Sequence, residues 1–168
     1  MKKWIIIILI SLTALSYAAY TKHIFAPSSV ANWLRIQNEK MMGGGDDACA
    51  PLAKSLHIEV THRAIDDMRH FSSSDPQQAC AALKTKAAEI KKTNASQQLR
   101  YENVQVTRHG FPWNSADVTY TERLTFAPPD SYMIYVKSDN QATLQLSWRG
   151  LQVTRLNSDT RSSWYPIP

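Results

Sequence analysis

Three groups of residues in this sequence carry side chains that could do chemistry: two cysteines, five histidines, and one acid set into an apolar strand. Cys49 and Cys80 are the only cysteines. In an exported chain, two cysteines read as a disulfide, and oxidised sulfur cannot serve as a nucleophile. His23, His57, His62, His70 and His109 invite a metal site. Zinc needs three or four ligand atoms within ~2.0–2.3 Å of one point. On strands, His57 and His62 face opposite sides, and His57 and His70 share a face several residues apart. On a helix, His62 and Asp66 would fall at i and i+4, which is a pair and no more. The expectation is no metal, no cofactor, and ordinary solvated or hydrogen-bonded histidines. Asp66 and Asp67 with His70 are a further acid–base grouping without recognisable context.

Glu122 is the acid of interest. It stands between Tyr120 and Leu124 on the apolar face of an alternating segment, so it points inward. A buried carboxylate must find a partner or change its pKa. Glu122 is therefore a pocket acid or, as expected here, the structural partner of an arginine such as Arg100, Arg108 or Arg155. Phe111-Pro112-Trp113 is the other feature singled out: a lid on the core or, if exposed, an aromatic anchor for a partner. The candidate binding residues are Glu122, Tyr120, Trp113 and Phe111. No Ser/His/Asp constellation with a recognisable setting occurs, so no catalytic residue is named and a non-enzyme is favoured.

These residues must be carried across a membrane. Met1-Lys2-Lys3 is followed by an apolar run, Trp4 to Leu15, and Ser16-Tyr17-Ala18 places small residues at a plausible cut between Ala18 and Ala19. Residues 1–19 read as a signal peptide or an uncleaved signal anchor, with residues 4–20 in the membrane in the second case. Lys2 and Lys3 stay inside and the rest crosses. The destination is the periplasm, or the periplasmic side of an inner membrane. The formal charge is +5, and removing Lys2 and Lys3 from the 19 basic residues leaves an excess of about three over the 14 acidic ones. The basic residues are scattered along the chain, which argues against a nucleic-acid partner. Lys84, Lys86, Lys91 and Lys92 form one cluster, the wet side of a helix.

The exported part divides into a tether with an amphipathic helix (20–45) and one α+β domain (46–168). Residues 20–27 read as a polar link, and Ser28 or Ser29 caps a membrane-proximal helix over 28–42, with Val30, Trp33, Leu34 and Met41 at helical spacing, that packs on the domain or stays mobile and ends at Gly43-Gly44-Gly45. That glycine run lacks the following Lys-Ser/Thr of a phosphate loop. Residues 46–74 fit either a helical stripe or alternating strands. A single helix would hold Cys49 ~35 Å from the turn and Cys80 only ~10 Å from it, too far for a bridge. A hairpin of about 55–63 and 67–72 brings them together and is preferred. The bridge would close a loop of about 32 residues, for which chain entropy gives ~3.5–4 kcal/mol. Ser74-Asp75-Pro76-Gln77 reads as a capping box opening a helix with Cys80, Leu83, Ala87 and Ile90 on its apolar stripe. Residues 99–157 read as an antiparallel meander, with turns at Gly110-Phe111-Pro112, Pro128-Pro129-Asp130, Ser138-Asp139-Asn140-Gln141 and Arg149-Gly150. Residues 158–168 read as a polar tail that Trp164 could pin to the body.

The segment Leu146-Ser147-Trp148-Arg149-Gly150-Leu151-Gln152-Val153-Thr154-Arg155-Leu156 resembles the closing hairpin of NTF2-like (cystatin-like) domains. Ser74-Asp75-Pro76-Gln77-Gln78-Ala79-Cys80-Ala81-Ala82-Leu83 is similar to the short helix that exported members place before the sheet. The resemblance spans about 75–157 and implies a cone-shaped sheet with a pocket, in a family of enzymes, ligand binders and envelope assembly modules. The family usually sets a long first helix ahead of this one, where the present reading places a hairpin. The fold expected is α+β, a helix packed on a curved antiparallel sheet of four to six strands. The function expected is a non-enzymatic envelope binding, assembly or inhibitor-type module with a protein partner. The alternative is a small-ligand carrier or enzyme with a pocket around Glu122.

Overall fold

A computed structural model of the chain describes residues 2–64, 67–92, 95–110, 113–127 and 132–165. Phe111, Asp66 and the turn at Pro128-Pro129-Asp130 lie outside the described residues, as does the side chain of Trp164.

The apolar N-terminal run forms helix α1, Lys2–Ile24. Its span Ile6–Ile24 is long and apolar enough to cross a membrane, and only 6% of it is buried in the folded body. Its C-terminal end is fixed to that body: Thr21 and Phe25 are buried. The expected polar link at 20–27 is therefore the end of a helix plus a core residue. Helix α2 follows, Pro27–Gly43, with Pro27 at the first turn. Neither Ser28 nor Ser29 caps it; the N-cap is Ala26, without a side-chain bond, because Pro27 already removes one of the orphan N–H groups. Gly44, at φ 74°, ends it by donating to the Lys40 and Met41 carbonyls, a left-handed turn that glycine makes without strain. Val30 on α2 is fully buried, so of the two outcomes expected for this helix the structure shows the one in which it packs on the domain.

A short turn, Asp46–Cys49, leads into strands β1 (Leu52–Arg63) and β2 (Met68–Ser73), the hairpin favoured on cysteine geometry. Helix α3 (Pro76–Lys92) comes next, then β3 (Ser96–His109), β4 (Ser115–Ala127), β5 (Met133–Ser147) and β6 (Gly150–Tyr165). Cys49 and Cys80 are bonded, with Cα atoms 5.7 Å apart, tying the turn before β1 to the first turns of α3. The cap of α3 is Asp75, whose Oδ1 accepts from the Gln77 N–H at 2.8 Å. Ser74, the expected cap, instead bonds His57 Nδ1 at 3.0 Å.

The six strands form one curved sheet in the order β2-β1-β6-β5-β4-β3. It is mixed rather than wholly antiparallel, because β1 and β6 run parallel. β5 continues through Ser138-Asp139-Asn140-Gln141, where a turn was expected, and β6 absorbs most of the supposed tail. Both segments are polar, yet 138–141 pair with β4 and β6, 158–161 pair with β1 and β5, and 162–165 pair with β5. Register shifts between Glu102 and Gln105 and between Thr143 and Leu144 insert extra residues, and such bulges deepen the curl of the sheet.

The helices lie on one face. Phe25 and Val30 pack on Ala116, Val118, Tyr120, Ala142 and Leu144. Ala116 and Ala142, with no reach beyond Cβ, leave room for the helix side chains to enter. A second, smaller core joins Leu56 and Ile58 of β1 to Ala79 of α3. Each buried Val, Leu or Phe stabilises the fold by roughly 1.5–3 kcal/mol.

Candidate functional site

Alternation on β4 puts Ala116, Val118, Tyr120 and Glu122 on the helix side and Asp117, Thr119, Thr121 and Arg123 on the outer side. Register extends Glu122 into a row across the inner face. Tyr101 of β3 and Ser138 of β5 stand opposite it, Thr160 of β6 opposite Ser138, and His62 of β1 beside Thr160. One step along the strands, Tyr120, Asn140 and Ser158 form a parallel row. The inner face thus has an apolar half under Phe25 and Val30 and a polar half beyond it. Ser138 and Thr160 share a hydrogen bond of 2.9 Å, and Asn140 Nδ2 donates to the Ser138 carbonyl at 3.1 Å.

Glu122 is part-buried at this junction. The arginine partner expected for it is not there. Arg100 lies on the opposite face with Arg123. Arg108 stacks on Trp113 with its guanidinium 5.5 Å from the ring. Arg155 acts on Asp117. Among the described residues Glu122 has neither an ion pair nor a hydrogen bond. Loss of solvent raises its pKa to about 7, so the carboxyl is about half protonated at neutral pH. Tyr101 and Tyr120 meet edge to face at 5.8 Å. Burial, and then the Glu122 charge, push both phenols above their ordinary range. The Tyr101 hydroxyl donates a long bond of 3.4 Å to the Leu34 carbonyl of α2. At the far end of the row, burial lowers the His62 pKa, helped by Lys86 and Arg69.

The structure brings Glu122 and Tyr120 together and separates them from Trp113. Trp113 sits part-buried in the loop before β4, at φ 54° and with its N–H on the Gly110 carbonyl. Ser138, Asn140, Ser158 and Thr160 were not foreseen, because 138–141 and 158–168 read as turn and tail. Residues 138–141 and 158–163 are uninterrupted polar runs, with no apolar alternation to mark a strand. A half-protonated carboxyl beside two phenols can hold or exchange a proton with a small polar ligand. No nucleophile stands with it among the described residues, and no group of three or more His, Cys, Asp and Glu there could hold a metal. The histidines take ordinary roles: His109 pairs with Asp117 at 2.7 Å and His57 lies 3.6 Å from Glu59.

Three grooves of about 350, 350 and 580 Å³ open on the outer face of the sheet, and Glu122 lines none of them. The first runs over Thr119, Thr121, Asp139 and Asn157, and the second over Arg100, Arg123, Lys137 and Arg161. The third lies over His57, Asp117, Thr143 and Arg155.

No protein-family model and no curated protein matches the sequence. Solved structures do match the fold. An NTF2-like protein with a cystatin-like fold from Novosphingobium aromaticivorans superposes with a TM-score of 0.58 at 10% identity, covering 84% of this chain and 86% of its own. A proposed scytalone dehydratase from the same organism gives 0.56 at 9% identity, covering 95% and 91%. A proposed dehydratase of the NTF2-like family from Streptomyces avermitilis gives 0.51 at 12% identity, covering 85% and 99%. At such identities the likeness establishes the fold, which is NTF2-like, and leaves chemistry to the residues themselves.

Proposed function

We propose that, on this NTF2-like fold, the chain is a non-enzymatic binding or assembly module of the cell envelope, anchored by α1 and working on the periplasmic side of an inner membrane. One observation carries the reading. α1 is an apolar rod standing clear of the folded body, its large apolar residues between Ile6 and Leu15 exposed from 54% at Ile7 to 68% at Leu15, yet its C-terminal end is built into the core through Thr21 and the following Phe25. An exposed apolar surface of this size needs a bilayer or a partner to cover it. The Cys49–Cys80 bond suits an oxidising compartment. The wide polar outer face is left to meet a protein partner.

The test is fractionation of cells expressing the full chain. Retention in carbonate-washed membranes, an N-terminus that includes Trp4, and protease access from the periplasmic side are expected. A soluble cytoplasmic product with both thiols free to alkylation would overturn the reading, and an N-terminus at Ala19 would overturn the anchoring.

A second reading, a small-ligand carrier or enzyme, is favoured by Glu122, an inward carboxyl without a partner among the described residues, on a fold shared with proposed dehydratases. A ligand of that site would shift the Glu122 titration, and Glu122→Gln would abolish its binding. Ligand binding that survives the substitution would remove Glu122 from the site.

A further inference from the structure

The basic residues scattered along the sequence are gathered by the fold. On the outer face, Arg100 of β3 pairs in register with Arg123 of β4, Arg123 with Lys137 of β5, and Lys137 with Arg161 of β6. Arg161 in turn pairs with Arg63 of β1. Five cations thus stand in one row across five strands, all exposed, and four of them line one groove with Thr125, Tyr135 and Ser163. Like charges directly opposite one another destabilise a sheet, and among the described residues carboxylates offset that cost for every cation of the row except Arg100. A row of carboxylates, Glu102, Asp139 and Asp159, lies one step along the strands. Arg123 contacts Glu102 at 2.8 Å, Lys137 contacts Asp139 at 3.0 Å, and Arg63 contacts Asp159 at 3.1 Å. Arg161 lies 3.6 Å from Asp159. Arg100 has no ion pair among the described residues. Five cations against three acids leave the face cationic along one line and anionic along the next.

We propose that this row docks an α-helix of a protein partner bearing a stripe of Asp or Glu. The proposal rests on the binding-module reading and names the chemistry of its partner. Neighbouring strands are ~4.8 Å apart, so the row repeats at that interval and runs ~19 Å. Helical residues at i, i+3 and i+4 present Cβ atoms ~5–6 Å apart, and about 13 residues cover the distance at 1.5 Å each. An extended peptide repeats on one face every ~6.7 Å and falls out of step within two or three residues. The carboxylate row sets a second condition. A ligand anionic on all sides, such as polyphosphate or an anionic lipid surface, would meet Glu102, Asp139 and Asp159 as well. A helix whose acidic stripe is flanked by a basic one satisfies both rows.

The experiment uses the full chain in detergent micelles and a fluorescent alanine-based helical peptide of about 20 residues, with glutamates at i, i+4, i+7 and i+11 and lysines on the adjoining stripe. A scrambled peptide of the same composition, polyphosphate and anionic vesicles are the comparison probes. Saturable binding of the striped peptide, at least tenfold tighter than the scrambled one and weakened by salt, is expected. Arg100→Glu is the cleanest variant, since it breaks no internal pair and relieves repulsion from Arg123; it should fold normally and bind at least tenfold more weakly. Arg123→Glu with Lys137→Glu should abolish binding, and Glu122→Gln should leave it unchanged. Equal binding of both peptides, tighter binding of polyphosphate or vesicles, or no effect of Arg100→Glu would overturn the proposal. So would a homodimer that Arg100→Glu dissociates without any peptide binding. A photo-crosslinked envelope partner that persists in the Arg100→Glu variant would leave the binding-module reading standing while the basic row falls.

Discussion

Replacing Glu122 by glutamine removes one ionisation and nearly nothing else, and the structure fixes how the effect must vary with pH. The carboxyl has an ordinary pKa of 4.5 and is raised to about 7 in the fold. A raised acid prefers its protonated form when folded. Its ionisation therefore costs no stability below pH 4.5, costs progressively more as pH rises, and costs the full amount above about 7. Raising the pKa from 4.5 to about 7 corresponds to about 3 kcal/mol at the plateau. Glu122→Gln should match the wild type at pH 4.5. It should exceed it by about 2 kcal/mol near pH 6 and about 3 kcal/mol at pH 7–8, or roughly 6–12 °C in melting temperature. His62, Asp117 and Asp139 also carry shifts, but these are common to both proteins and cancel in the difference. The assay is urea unfolding of the full chain in micelles, followed by tryptophan fluorescence from pH 4.5 to 8. A difference independent of pH, or a variant less stable at pH 8, would refute the account of Glu122 as a desolvated, partnerless acid.

Removing the bridge with Cys49→Ser and Cys80→Ser should lower stability by ~3–4 kcal/mol; a loss under 1 kcal/mol in reversible unfolding would show that the turn before β1 and α3 hold together without it. Leu144→Ala, at a side chain 1% exposed in the main core, should lose ~2–5 kcal/mol, measured as a urea midpoint with unchanged slope. Asp75→Ala should lose ~1 kcal/mol through the α3 cap, whereas Ser74→Ala should change little; the reverse order would return the cap to Ser74.

The order of helix, hairpin, helix and four final strands was legible in the chain because it rests on local signals. Alternation in 115–127 defined β4 and its inner face, so Glu122 pointed inward as expected. The need to bring Cys49 to Cys80 decided strand against helix in 55–72, a geometric constraint that periodicity could not supply. Ser138-Asp139-Asn140-Gln141 and the stretch after Leu156 were misread for one physical reason. Short polar residues have weak strand preference, and it was the neighbours, β4 and β6 for one and β1 and β5 for the other, that supplied their hydrogen bonds. Helical spacing placed Val30, Trp33 and Leu34 on one face of a helix but could not say whether that face met the domain, and Phe25 read as polar link because a single apolar residue reveals nothing of the surface it will meet.

The apolar N-terminal helix, the disulfide and the α+β plan followed from the chain alone, since each depends on residues close in sequence or on a distance limit. Register across strands distant in sequence belonged to the tertiary structure. It left Glu122 without an arginine by turning Arg100 to the other face, and it drew Arg63, Arg100, Arg123, Lys137 and Arg161 into one line. Charges spread over about a hundred residues carry no pattern until hydrogen-bonded backbones set them ~4.8 Å apart.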